Sequence, residues 1–455
     1  MQREGLFALQ NSLTALSSLH TLDIRNNGLN VQVIEDLVKQ LRCGHVQRYI
    51  SIEEMWITAV AAVNLVSCCL NLNPNIHTIR VNHTTVHITL EKCTNHTPTS
   101  GDSADMAGSL STMTISLVDC AVQGHHLVSL QTVFQRCPLL QDLDLSLCSG
   151  WTAAGALDLL KGLGQCLSLD GISLDSAQLD QKSTVSLAQG LHAMTSLKRL
   201  NLNKKVTMAT GSPEEATTLV LPASLEGLRA MEEIELEGMR MSDKGFEELI
   251  KHLPNWTGLR KISLSDNYIG GQAGERLVQA LANCTELEVL HLSRNKLSLA
   301  CAAKMGRVLP TLIHLRVLDF SENPIGREGS VSISNALIFI NYLTKIHLTS
   351  IGTSELTGLA ASLAYCVCAE DVSFAWNGCG DDVAVKLSEV LPQCQKLRRL
   401  DLELNSISTT GAEALARSLQ SCPSLEVIRL WRNSISTCDA QRLRQSEKRL
   451  NFFST

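Results

Sequence analysis

The feature that most constrains this chain is a pattern stated twice, 28 residues apart. Leu259-Arg-Lys-Ile262-Ser-Leu264-Ser-Asp-Asn267-Tyr-Ile269 returns as Leu287-Glu-Val-Leu290-His-Leu292-Ser-Arg-Asn295-Lys-Leu297. Both read L-x-x-L-x-L-x-x-N-x-L. The alternating apolar positions at its centre specify a short strand with one buried face. Between the copies, Ala273, Leu277, Leu281 and Cys284 fall at helical spacing, and Cys301, Met305, Leu309 and Leu312 repeat them 28 residues on. A unit with one apolar strand face and one apolar helix stripe cannot bury both by itself. Stacked copies bury them in a continuous core.

This is the leucine-rich-repeat signature, and it extends along the chain. Motif starts fall at Leu19, Gln47, Ile76, Thr112, Leu140, Leu169, Leu197, Met231, Leu259, Leu287, Leu315, Leu343, Ala369, Leu397 and Leu425, which makes fifteen units. From Leu259 the spacing is 28 apart from one step of 26, whereas two earlier steps stretch to 36 and 34. A 28-residue unit has room for a full helix, so the predicted fold is an α/β solenoid of the ribonuclease-inhibitor-like horseshoe class. Parallel strands would line its concave face and helices its convex face, in a single domain over residues 1–455. Leu6, Leu9, Leu13 and Leu16 form a helical half-unit ahead of the first strand. The chain is therefore expected to be the C-terminal piece of a longer array.

Three stretches depart from the pattern. Residues 85–110 combine a strand-like alternation near Val86 with a Ser/Thr/Gly/Asp-rich run, so an extended segment and a loop should replace that unit's helix. Residues 204–215 contain Thr210-Gly-Ser-Pro-Glu-Glu and read as a surface insertion. Residues 437–455 read as a closing cap, a short helix with Thr437 as its N-cap followed by the apolar Arg449-Leu-Asn-Phe-Phe453.

Composition narrows the function classes. A formal charge of −6 gives no electrostatic case for nucleic acid as a partner of this region. No apolar run approaches the ~18 residues of a membrane span, and no secretory signal opens the sequence. Without one, the four Asn-x-Thr sequons carry no weight. Of the 16 cysteines, Cys137, Cys166, Cys284, Cys366, Cys394 and Cys422 each stand three residues before a motif start. They fill one recurring buried slot and are expected to stay reduced. Cys366-Val-Cys368 lacks a second Cys/His pair at finger spacing, so no metal is expected, and nothing calls for a cofactor. Phosphate-loop, zinc-protease and nucleophile-elbow motifs are all missing, and His125-His126 reads as a solvated helix feature. No enzymatic activity is expected.

The motif positions have different tasks. At the ninth, a buried amide can both donate and accept where backbone groups leave the strand ladder. Asn27, Asn267, Asn295, Asn323, Asn377, Asn405 and Asn433, with Cys120 and Cys148 as the alternative residue, are assigned to that structural ladder. The x positions should face the concave surface. There Trp376, Arg399, Arg429, Trp431 and Arg432 group residue types that concentrate binding energy at interfaces, and they form the candidate partner site. A ribonuclease-inhibitor-type binding protein and a GTPase activator are the alternative functions. The second would need a presented arginine, and nothing singles out Arg25 or Arg199.

Ser424-Leu-Glu-Val-Ile-Arg-Leu-Trp-Arg-Asn-Ser-Ile435, Cys438-Asp-Ala-Gln-Arg-Leu443 and Arg449-Leu-Asn-Phe-Phe453 resemble the C-terminal end of the NOD-like receptors of the caspase-recruitment type that transactivate class I MHC genes. The resemblance implies an innate-immunity regulator, both cytoplasmic and nuclear, whose repeats bind protein components of signalling or transcription assemblies. It also implies control of inflammatory and interferon signalling. The nucleotide-binding and effector domains of such receptors have no counterpart in these residues.

Overall fold

The computed structural model describes residues 231–241 and 243–453 throughout. Before Met231 it describes residues 140–149, 169–177, 194–204 and 225–230, the strands named below and scattered single positions. Contacts divide the chain into two compact units. The first comprises residues 1–205 with 224–230, and the second residues 206–223 with 231–455. Sequence patterning points to one uninterrupted array; the division instead falls at the insertion. Of the insertion itself, only Lys204 is among the described residues.

The first unit holds β1 (Thr21–Asp23), β2 (Tyr49–Glu53), β3 (Thr78–His83), β4 (Val86–Lys92), β5 (Leu110–Leu117), β6 (Asp142–Asp144), β7 (Gly171–Ser173) and β8 (Arg199–Asn201). β1 to β3 pair in parallel, as do β5 to β8. β4 lies between β3 and β5 and runs antiparallel to both. The extended segment expected near Val86 thus joins the sheet itself. It starts three residues after His83, and a connection that short returns a strand only in the opposite direction.

The second unit is a regular parallel sheet of β9 (Glu233–Glu235), β10 (Lys261–Ser263), β11 (Val289–His291), β12 (Val317–Asp319), β13 (Lys345–His347), β14 (Asp371–Ser373), β15 (Arg399–Asp401), β16 (Val427–Arg429) and β17 (Leu450–Asn451). The fourth motif position stays in register from Ile234 through Ile262, Leu290, Leu318, Ile346, Val372 and Leu400 to Ile428. A slip of one residue would turn the buried leucines to solvent, so register is strongly held. The 26-residue step is absorbed between the strands, where α5 has only six residues.

The helices are α1 (Asp243–His252), α2 (Gly271–Leu281), α3 (Leu299–Val308), α4 (Gly326–Leu337), α5 (Thr357–Ser362), α6 (Asp381–Val390), α7 (Thr409–Ser418) and α8 (Thr437–Ser446). Each buries one stripe, such as Ala273, Leu277, Val278 and Leu281 on α2, in a shared layer with Leu259, Ile262 and Leu264. Full burial of each Leu or Ile contributes about 1.5–3 kcal/mol, which makes this layer the chief source of stability. α1, α3 and α6 stop in the turns Leu253-Pro-Asn, Leu309-Pro-Thr and Leu391-Pro-Gln, where proline has no N–H to continue the helix.

The terminal cap differs in one detail from its sequence reading. Ser436, not Thr437, is the N-cap of α8, because Ser436 has an extended backbone and its Oγ accepts from Asp439 N at 3.1 Å. Arg449-Leu-Asn-Phe-Phe453 contributes β17, which pairs in parallel with β16. The Arg449 guanidinium meets Glu447 at 2.6 Å and donates to the carbonyls of Cys422 and Leu419 at 2.9 and 3.1 Å.

Candidate partner surface

From Asn295 onward the ninth-position amides do the same work in each unit that carries one. Asn295 Nδ2 donates to Leu264 O at 2.9 Å and Leu292 O at 3.0 Å, while its Oδ1 accepts from Ile269 N at 2.9 Å and Asn267 N at 3.1 Å. Asn323, Asn377, Asn405 and Asn433 repeat this bridge between neighbouring units. Cys148 Sγ reaches Leu117 O at 2.8 Å in the same way. Asn267 begins the series and has its Oδ1 buried without a hydrogen-bond partner among the described residues. Asn27 and Cys120 lie outside the described residues.

In ten units the residue before the ninth position adopts the left-handed conformation. Leu147, Ser176, Gly238, Asp266, Arg294, Glu322, Ser350, Trp376, Leu404 and Arg432 have φ between 52° and 66°. This corrects the reading of every x position as a strand-face position. Trp376 and Arg432, like Arg294 and Glu322, leave the sheet at the turn and stand on its rim. Arg399 and Arg429 belong to strands and face the open side of the sheet. Trp431 follows β16 between these two settings, and the Arg432 guanidinium lies 4.4 Å from its ring centroid. Trp376 is 57% exposed.

Arg399 and Arg429 meet in a depression of about 240 Å³ that crosses β13 to β16. Its other lining residues are His347, Thr349, Asp371, Ser373, Leu400 and Asp401. Sequence reasoning did not group Thr349, Asp371 and Ser373 with the site. They occupy repeated register positions of consecutive units, and that shared register is the signal that finds them. Thr349 Oγ1 and Ser373 Oγ are 2.7 Å apart. His347 Nε2 lies 3.6 Å from Asp371 Oδ1. The carboxylate favours the charged imidazole and raises the His347 pKa, and the same contact lowers that of Asp371. Asp401 Oδ1 accepts from Glu403 N at 3.0 Å, and its Oδ2 is 3.9 Å from Arg429 Nη1. Burial, and then the charge of Asp401, raise the pKa of Glu403.

Elsewhere on the open face several charges pair with one another. Lys261 Nζ is 2.6 Å from Glu235, and Ser263 bonds to Glu237. In the first unit Arg199 reaches across Gly171 to Asp142 at 2.7 Å, so Arg199 is engaged within the sheet. Arg25 lies outside the described residues. Burial pushes the Cys284, Cys366 and Cys379 thiols up to about 12 and those of Cys166 and Cys394 to about 11. Cys368 Sγ accepts from Lys396 Nζ at 3.6 Å. No group of three or more Cys, His, Asp or Glu side chains among the described residues is placed to hold a metal ion. None of the described helices is long and apolar enough to cross a membrane.

Strands in register, helices on one side and an amide ladder define the chain as a leucine-rich-repeat solenoid. The leucine-rich-repeat family profile matches residues 311–334 and 393–416. A leucine-rich-repeat protein of Leptospira interrogans shares the fold, with a TM-score of 0.51 at 15% identity over 98% of each chain. In sequence, the chain is similar to Protein NLRC5. It is 42% identical to the Ictalurus punctatus protein over 85% of this chain and 27% of that one. A shorter match to human NLRC5 is 39% identical over 15% of this chain and 4% of the relative. The chain thus spans about a quarter of the length of the longer-matching relative.

Proposed function

We propose that this chain is the protein-binding scaffold of an innate-immunity receptor similar to NLRC5, and that it makes no chemical change to what it binds. The observation that carries this reading is the C-terminal open face. Its arginines line a depression across β13 to β16, and the turns that follow β14 and β16 carry the exposed Trp376 and the stacked Trp431–Arg432 pair. Aromatic and guanidinium groups side by side are what interface hot spots are made of. The finer role, in class I MHC gene activation and in restraint of inflammatory and interferon signalling with residence in cytoplasm and nucleus, is what the resemblance of Ser424–Ile435 and Arg449–Phe453 to the class I MHC-transactivating receptors implies.

Affinity capture from immune cells, comparing the native chain with the double variant Trp431→Ala/Arg432→Ala, tests the scaffold role. Loss of specific partners with an unchanged melting temperature is expected, and identical partner sets would remove this surface from the reading. A class I MHC promoter reporter driven by the whole receptor, with and without the same substitutions, tests the finer role. Reporter output that does not change when the captured partners are lost would rule it out.

A further inference from the structure

The two arginines of the depression differ from the other paired cations on the open face. Lys261 and Arg199 are held by carboxylates at 2.6 and 2.7 Å. Arg399 is exposed and makes no ion pair within 4 Å among the described residues. Arg429 has Asp401 only at 3.9 Å and is 40% exposed at its side chain. Neither guanidinium donates a hydrogen bond to a described residue. Arg399 aligns with Val427, so it sits one strand over and two residues before Arg429. Strand spacing and rise per residue put their Cα atoms about 8 Å apart, and both side chains line one depression. Two planar donors converging from that distance suit a carboxylate, which can accept from both at once.

The depression also holds Asp371, directly opposite Arg399 in the strand register, and Asp401, but neither carboxylate comes within hydrogen-bond distance of a guanidinium, so the N–H donors of both arginines stay open to a ligand. Asp371 faces His347 at 3.6 Å. Asp401 accepts the Glu403 N–H at 3.0 Å and faces Arg429. What is left over is donors. On the floor, one of the Thr349 and Ser373 hydroxyls donates to the other across 2.7 Å, so the accepting hydroxyl still has a proton to offer. A space of about 240 Å³ matches roughly eight water volumes, enough for an acidic side chain with bridging water. Trp376 and Trp431, three and two residues beyond the lining residues Ser373 and Arg429, offer apolar surface on the turns that follow the same strands.

We propose that the depression across β13–β16 is a socket for the carboxylate of an acidic partner segment, held between Arg399 and Arg429 and flanked by apolar residues that pack on the tryptophans. This rests on the scaffold reading above and gives the chemistry of the partner. The occupant is an extended peptide with an Asp or Glu next to apolar side chains.

Fluorescence anisotropy with labelled leucine-flanked pentapeptides tests it, the central residue being Glu, Gln, Lys or phosphoserine. The Glu peptide should bind at least ten-fold more tightly than the Gln or Lys peptide and weaken as salt rises from about 0.05 to 0.5 M. Arg399→Gln and Arg429→Gln should each lower its affinity five- to ten-fold with unchanged melting, whereas Arg276→Gln on α2 should leave it alone. Equal binding of Glu and Gln peptides, preference for Lys, binding of phosphoserine alone, or no binding at millimolar peptide would each overturn the proposal. If partner capture still depends on Trp431 and Arg432 in that event, the scaffold reading survives without the socket.

Discussion

At the scale of single residues, the motif separates side chains that hold the array from those it displays. Asn295 satisfies four backbone groups in two neighbouring units. Asn295→Ala would leave buried donors and acceptors unpaired, at about 1–3 kcal/mol for the groups water cannot reach. Urea unfolding should show that loss, and exchange of the Asn267 and Ile269 amides should speed up more than that of amides in β15. A shift confined to β15 would contradict the ladder. Cysteines give a second residue-scale expectation. Thiols held near 11 or 12 by burial are neutral at pH 8 and closed to reagent, whereas Cys438 is exposed. Native alkylation followed by mass spectrometry should modify Cys438 well before Cys284, Cys366 or Cys394. Comparable rates would mean the slot is open. Burial of Leu, Asn and Cys at fixed positions was legible because only certain side chains suit a buried slot. The left-handed residue before the ladder was not. It is a backbone demand met by Leu, Ser, Asp, Arg, Glu and Trp alike, and so Trp376 and Arg432 were placed on the strand face when they stand on the rim.

At the scale of elements, strands keep register and connections absorb the differences. The 26-residue step shortens α5 and leaves Ile346 opposite Val372. Periodicity alone predicts this, since the strand's buried side cannot slip while a solvated helix can lose a turn. β4 shows the limit of such reading. Alternation near Val86 revealed an extended segment, but whether it paired within the sheet or lay outside depended on the partners offered by β3 and β5, which are distant from its own pattern. The terminal cap has the clearest element-scale test. Arg449 donates to the Leu419 and Cys422 carbonyls of the turn after α7, each of which also accepts one backbone N–H, so the guanidinium ties the cap to that turn with a second bond to each. Arg449→Ala should cost about 1–3 kcal/mol, felt locally. Hydrogen exchange should accelerate in α8 and β17 and hardly change around α2. A uniform acceleration would show that the cap governs more than its own unit.

At the scale of the whole molecule, repeat units touch mainly their neighbours, so an electrostatic change in one strand pair should stay near it. The His347–Asp371 pair makes that expectation measurable. His347 titrates above its ordinary 6.5, and its contribution to stability is therefore complete below 6.5 and lost as pH rises through the raised value. Asp371 titrates below its ordinary 3.8, so its contribution is present above 3.8 and lost as pH falls through the lowered value. The pair contributes fully between these limits, with Asp319 reinforcing the charge on His347 and Lys345 opposing it. About a third of the His347 side chain is exposed, and screening keeps the effect below about 1 kcal/mol. As pH rises above 6.5 and through the raised His347 value, the native chain should therefore lose a small part of its stability near β13 and β14. His347→Gln should flatten that loss, read as protection factors at Ile346 and Val372 relative to Ile262. If the variant keeps the native slope, the titration comes from another group. If Ile262 follows the same slope, the units are coupled over a longer range than a solenoid allows.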